Sequence, residues 1–324
     1  MEISLVISIH ATSCGEPSDY GNACEDERMI CVHGKENVLL SGVLDGCGGA
    51  GSKRYGRADR WTGARISSHE AGRTLAEWFQ SKALKELKLQ SQEDVAKELH
   101  DVLSTHLYEI KEALGTEKTL VISNLSVELP TTLAVMTAEP ERKGNIRIRS
   151  YWAGNSRNYV FLPSGLKQIS SDNLDGDHDG DEPLENGILS NAVNASSPFT
   201  IYSKEVIQKG TMMLLSATDG VFGYFDSPIR LEWILLDTLQ HAACPLDWEG
   251  SLKAEIDDWS SDDHTMELIV LNAENFSSLK AAYRERWTEM KTQYAEKLDM
   301  AAENKNHELY LELWRQYKKD YLLC

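Results

Sequence analysis

The sequence predicts an α+β fold: an antiparallel β core with helices packed outside it and a helical hairpin added after it. Three observations lead there. Strand patterns come first, two amphipathic helices follow, and strands return, which is not the strand-helix alternation of a doubly wound parallel sheet. The strand candidates are joined by short polar turns carrying glycine or proline, as hairpins are. After Asn272 the chain turns to Glu, Lys, Ala, Leu and aromatic residues at helical spacing.

The first element, MEISLVISIHATS, reads as a strand; it has no basic leader and too short an apolar run for a secretory signal. Met29–Val32 and Val38–Val43 pair through a turn at His33-Gly34-Lys35-Glu36-Asn37. Ser67–Leu84 places Ala71, Leu75, Trp78 and Phe79 on one helical stripe, and Gln92–Leu114 does the same with Val95, Leu99, Val102, Leu103, Leu107 and Ile110. Strands are expected at Thr132–Ala138, Ile146–Ala153, Asn158–Leu162 and Met212–Ala217, with turns at Pro140–Asn145 and Pro163-Ser164-Gly165. A helix over Arg230–Ala243 and a strand over Thr265–Asn272 complete a domain of residues 1–272. Residues 273–324 form the extension, with helices over Phe276–Ala302 and His307–Leu322. Its apolar face, Tyr283, Trp287, Met290, Tyr294 and Leu298, is expected to dock on the parent domain, with partner binding or self-association as the alternative.

With 51 acidic against 33 basic side chains, the 324-residue chain carries a formal charge of −18, which argues against nucleic acid or an anionic membrane as partner. No stretch reaches the roughly 18 to 20 apolar residues needed to span a bilayer. Six scattered cysteines lack zinc-site spacing and suit reduced thiols, so a soluble cytoplasmic protein is expected. The histidines show no HExxH-type spacing.

Chemistry is concentrated in carboxylates at strand ends. Asp45-Gly46 follows Val38–Leu44, Asp219-Gly220 follows Met212–Thr218, Asp262-Asp263 precedes Thr265–Leu271, and Glu25-Asp26 precedes the first hairpin. Each alone is an ordinary turn. Brought together they would make a hard oxygen site for Mg²⁺ or Mn²⁺.

In that order and setting, Cys24-Glu25-Asp26, Asp45-Gly46-Cys47-Gly48-Gly49, Pro130-Thr131-Thr132-Leu133-Ala134, Gly154-Asn155-Ser156-Arg157, Thr218-Asp219-Gly220 and Asp262-Asp263-His264-Thr265 resemble the motifs of the PP2C (PPM) family of protein phosphatases. The likeness covers roughly residues 1–272, as in a bacterial-type member with an added helical hairpin, and implies that the β core is an antiparallel β-sandwich flanked by helices in α-β-β-α layers. It implies a protein serine/threonine phosphatase with two Mn²⁺ or Mg²⁺ ions as cofactors. Asp45 would bridge them, joined by the Gly46 carbonyl, Asp219 and Asp262, with Glu25 and Asp26 acting largely through water. A hydroxide between the ions would attack phosphorus, with no phosphoenzyme. The implied partners are a phosphorylated protein and its Ser/Thr kinase.

The sequence departs from that pattern at four places. Cys47 stands where the family has a histidine proposed as general acid, and is read as a packing residue or a weak acid. Gly21 occupies the position of a phosphate-clamping arginine, so the basic run with Arg54 and Arg57, or a plain solvated loop, replaces the clamp. Asn155 replaces an aspartate of a third, weaker metal site, so two tightly bound ions are expected, and Arg157 is given a structural contact. Asp172–Glu185 lies where the family has a variable flap; Asp175, Asp177, Asp179 and Gly180 resemble a calcium loop, but Asn186 replaces its closing glutamate. The alternative to an enzyme is a catalytically impaired phosphatase fold that binds a phosphoprotein or another partner.

Overall fold

In the computed structural model, residues 1–12, 24–33, 38–55, 61–82, 84–115, 127–175 and 187–321 are described. Three strands open the chain, β1 (Ile3–Ala11), β2 (Glu27–His33) and β3 (Val38–Leu44). The single turn α1 (Gly48–Gly51) and the short pair β4 (Arg54–Tyr55) and β5 (Trp61–Thr62) lead into α2 (Gly63–Ser81), α3 (Leu84–Leu89) and α4 (Gln92–Leu114). Then come β6 (Leu133–Pro140), β7 (Asn145–Ala153), β8 (Arg157–Leu162), β9 (Gly165–Gln168), β10 (Tyr202–Lys209) and β11 (Met212–Ala217). The helices α5 (Asp219–Phe222), α6 (Pro228–His241) and α7 (Pro245–Trp259) precede β12 (His264–Leu271). After β12, α8 (Phe276–Met290) runs through a π-helical turn into α9 (Glu296–Glu303), and α10 (His307–Tyr321) follows.

Two five-stranded sheets result, in the orders β1-β12-β11-β8-β9 and β10-β7-β6-β3-β2, with antiparallel pairing throughout. Leu39, Met136, Ile148, Val160, Leu214 and Ile269 meet between them. The central strands are buried on both faces, so β3, β11 and β12 read as near-continuous apolar runs. On one outer side α2 and α4 bury Leu75, Phe79, Val95, Leu99, Leu103 and Leu107, each contributing about 2 kcal/mol by leaving water. Ser91 caps the start of α4 by accepting from the Asp94 amide, and Gly115 ends it at φ 61°, where only a residue without Cβ is unstrained.

The opposite side is covered by α6, α7 and the C-terminal helices, all sharing one core. Tyr283, Met290, Tyr294 and Leu298 are buried there and Trp287 is half-buried, so the face offered as a partner surface is spent on the chain's own sheet. Polar anchors fix it: the Arg286 guanidinium pairs with both oxygens of fully buried Glu232, and the Tyr317 hydroxyl donates to the same carboxylate. The Tyr321 hydroxyl donates to Gln168 at the sheet edge.

The short elements α1, β4, β5, α3, β9 and α5 lie outside the sequence reading, and so do two longer ones, α7 and β10. In α7 only Trp248, Leu252 and Ile256 are buried, a narrow stripe spaced four residues apart on a largely polar helix, and β10 is an edge strand whose side chains are mostly part-exposed. Local patterning is weak in both because each is held by a single neighbouring face. The helix expected from Ser67 begins at Gly63, under a Thr62 cap, and ends at Ser81. The turn residues 34–37 lie outside the described residues.

Candidate metal centre

A cleft of about 350 Å³ opens where the ends of β3 and β11 meet the starts of β2 and β12. Glu25, Asp26, Asp45, Gly46, Cys47, Asp219 and Asp262 all line it. Asp263 lines it too, and no lysine or arginine does among the described residues.

Each carboxylate is set by its neighbours. At the end of β3 the Asp45 carbonyl accepts from the Thr132 amide (2.7 Å) and the Thr131 hydroxyl (2.9 Å), while the Cys47 amide donates to Pro130 O (3.1 Å). The segment preceding β6 therefore clamps the Asp45-Gly46-Cys47 turn. A Cβ on Gly46 would lie 2.7 Å from backbone atoms of Ala64 and Glu25, so glycine is required by close approach alone. Asp219 opens α5, and its Oδ2 accepts from Asn155 Nδ2 at 2.8 Å. Asp26 accepts from the Thr218 hydroxyl at 2.9 Å, and Thr218 also receives the Thr265 amide, which ties β11 to β12 beside the cleft. Glu25 receives the Thr62 hydroxyl, and its amide donates to Asp263 Oδ2 at 2.7 Å.

Crowding like charges in a protected place raises the proton affinity of the acids. Burial first, then the carboxylates of Asp26 and Asp219, push Asp45 well above the ordinary range. Asp26, 5% exposed, is pushed up to about 7, mainly by burial, against the lowering effect of Thr218 and Thr265. Burial is also the main cause of the upward displacement of Glu25 and Asp262. The Cys47 thiol is raised by burial and then by Asp45 and Asp219, so it stays neutral. The donor set is all hard oxygen and lacks a balancing side-chain cation, which fits Mg²⁺ or Mn²⁺ in kind. Among the described residues, however, no three His, Cys, Asp or Glu side chains are gathered about one point as a ready coordination sphere.

Arg54, one of the two residues expected to clamp phosphate, does not line the cleft. Arg54 is exposed on β4, where its charge reaches Glu25, and Arg57 lies outside the described residues. Arg157 is buried and paired with Asp172 at 2.7 Å, with its guanidinium 4.2 Å from the Phe222 ring, a structural contact in the wall of an adjoining cavity. Most of the acidic segment, residues 176–186, lies outside the described residues. Thr62, Thr218 and Asn155 donate to the carboxylates of Glu25, Asp26 and Asp219 while Thr132 holds the Asp45 backbone; Thr132, Asn155 and Thr218 belong to the sequence motifs, and Thr62 has no signal of its own.

No protein-family model and no curated protein matches the chain. Solved structures do. The serine/threonine phosphatase Stp1 from Staphylococcus aureus superposes with a TM-score of 0.56 at 15% identity, over 84% of this chain and 98% of that one. The S. agalactiae serine/threonine phosphatase gives 0.55 at 13%, over 82% and 98%. PppA, described as a key regulatory component of T6SS in Pseudomonas aeruginosa, gives 0.52 at 18%, over 83% and 98%. The chain thus has the PP2C-like fold.

Proposed function

We propose that this chain is a metal-dependent protein phosphatase, hydrolysing phosphoserine and phosphothreonine on proteins with two Mn²⁺ or Mg²⁺ ions as cofactors. One observation carries the reading: carboxylates from four separate segments converge on one cleft, with acids pressed together and no side-chain cation lining it among the described residues. Burying like charges destabilises a fold unless something compensates them, and divalent cations do so. The fold shared with solved serine/threonine phosphatases supports the substrate class.

Asp45, Asp219, Asp262 and the Gly46 carbonyl would hold the ions, with Glu25 and Asp26 behind them. Bound there, the cations would supply Lewis acidity and offset the charge on the phosphoryl oxygens. Asn155 keeps Asp219 turned into the cleft. The neutral Cys47 thiol, close to the Asp45 carbonyl, acts as a small wall group that adds no charge where phosphate arrives. Arg54 at the rim draws the anionic substrate in. A phosphorylated protein is the partner, and a Ser/Thr kinase the source of its phosphate.

A second reading, a non-catalytic phosphatase fold that binds partners, is favoured by the absence of three gathered ligands among the described residues and by the use of Arg157 in pairing Asp172. Manganese-dependent hydrolysis of p-nitrophenyl phosphate separates the two. The parent should turn over roughly 10²-fold faster or more than Asp45→Ala and Asp219→Ala. Equal rates for all three with Mn²⁺ and Mg²⁺, from neutral to alkaline pH, would leave only the binding protein.

A further inference from the structure

Asp262 is the exposed member of the acidic set and sits on the short loop between α7 and β12. A carboxylate on such a loop holds an ion well only if the loop is ordered beforehand, because ordering it on binding would cost affinity. Three contacts order it. Gly220 of α5 lies so close that a Cβ there would come within 2.0 Å of the Asp263 carbonyl oxygen. Asp263 Oδ2 accepts from the Glu25 amide at 2.7 Å.

The third contact is His264, 3% exposed at the start of β12. Its Nδ1 is 3.0 Å from the carbonyl oxygen of Asp262, and its Nε2 is 2.8 Å from Oδ1 of Asp257, near the end of α7. Both partners are acceptors, and the buried ring lies within hydrogen-bond distance of each, so the imidazole fills the gap between the Asp262 backbone and the helix. Asp257 is held from its other side by Lys253 Nζ at 2.5 Å. The Asp262 carbonyl also receives the Ser260 hydroxyl at 3.1 Å. One peptide group, that of the expected ligand itself, thus gathers both bonds.

We propose that His264 is a positioning residue of the metal centre: bridging Asp257 and the Asp262 carbonyl, it fixes the loop that presents the Asp262 carboxylate beside Asp219, so divalent-cation affinity depends on an imidazole that does not touch the ion. The inference rests on the metal-dependent reading above. Groups behind a metal ligand set its orientation, and losing one typically lowers affinity 10- to 100-fold.

Calorimetric titration of the full chain with Mn²⁺ tests this, using the parent, His264→Ala, His264→Gln and Asp257→Ala, with circular dichroism to establish folding and urea denaturation in EDTA to report metal-free stability. His264→Ala should raise the Kd for Mn²⁺ roughly tenfold. His264→Gln, which keeps an amide donor, should recover part of the loss, and Asp257→Ala should weaken binding in the same direction. Asp257 is partly exposed, so its variant decides the matter where His264→Ala does not fold. Unchanged Mn²⁺ affinity in folded His264→Ala or in Asp257→Ala, whatever happens to the urea midpoint, overturns the positioning role. A parent chain that binds no Mn²⁺ overturns the metal-dependent reading itself, and this inference with it.

Discussion

Asp26→Asn should make the metal-free protein more stable, and the size of the gain should depend on pH in a defined way. Asp26 is nearly inaccessible, receives the Thr218 hydroxyl, and has its carboxyl raised from 3.8 to about 7, chiefly by burial. The folded chain therefore keeps this proton up to about pH 7, while the unfolded chain releases it near 3.8. Between those values the unfolded state binds fewer protons, so stability falls as pH rises. At about 1.4 kcal/mol per unit, the three-unit displacement amounts to a loss on the order of 4 kcal/mol, complete above the folded value. Asparagine keeps the shape and an acceptor for Thr218 but cannot ionise. Urea denaturation in EDTA should find little difference between parent and variant at about pH 4, a gain growing through pH 5 and 6, and a plateau of a few kcal/mol above about pH 7. With Mn²⁺ the parent should recover much of that loss and the variant less, because the cation replaces the missing proton. A gain that stays flat from pH 4 to 8, or a variant less stable than the parent above neutrality, would refute the account of Asp26 as a strained buried acid.

Arg286→Ala leaves the fully buried Glu232 with the Tyr317 hydroxyl alone and should cost about 3 to 5 kcal/mol in urea denaturation, whereas the paired change Glu232→Leu with Arg286→Met should cost less. A loss below about 1 kcal/mol for Arg286→Ala would mean that the C-terminal helices are not anchored through this pair. At the rim, Arg54→Ala should raise KM for a phosphopeptide about two- to fivefold with kcat unchanged, an effect that shrinks as salt is added, since an exposed charge is worth roughly 1 kcal/mol at most. Identical KM values at low salt would remove Arg54 from substrate capture.

How much was legible in the sequence depends on how local each signal is. The α2 and α4 stripes, the strand runs of β3, β11 and β12, and the buried face of α8 and α9 repeat within a few residues, so they can be read directly. Helix α7 was not legible, because its buried stripe is only one residue wide, Trp248, Leu252 and Ile256, among mostly polar neighbours. Nor was β10, whose partner on one side is β7 and on the other is solvent. The residues of the acidic motifs line one cleft, since Asp-Gly at the end of an apolar strand places a carboxylate where a sheet stops. Of the two clamp residues, Arg54 is exposed on the surface and Arg57 lies outside the described residues.

What the amino-acid order fixed without help was the α+β class, the strand-end carboxylates and the amphipathic C-terminal helices. Only the tertiary structure decided that Asn155 would hold Asp219 across 64 positions, that Asp263 would reach Glu25 across 238, and that Glu232 would receive Arg286 and Tyr317. Periodicity reports how a segment faces its nearest layer. Hydrogen bonds between segments distant in the chain depend on strand order, register and helix placement together, and these are settled when the two sheets pack and bring the ends of β2, β3, β11 and β12 to one rim.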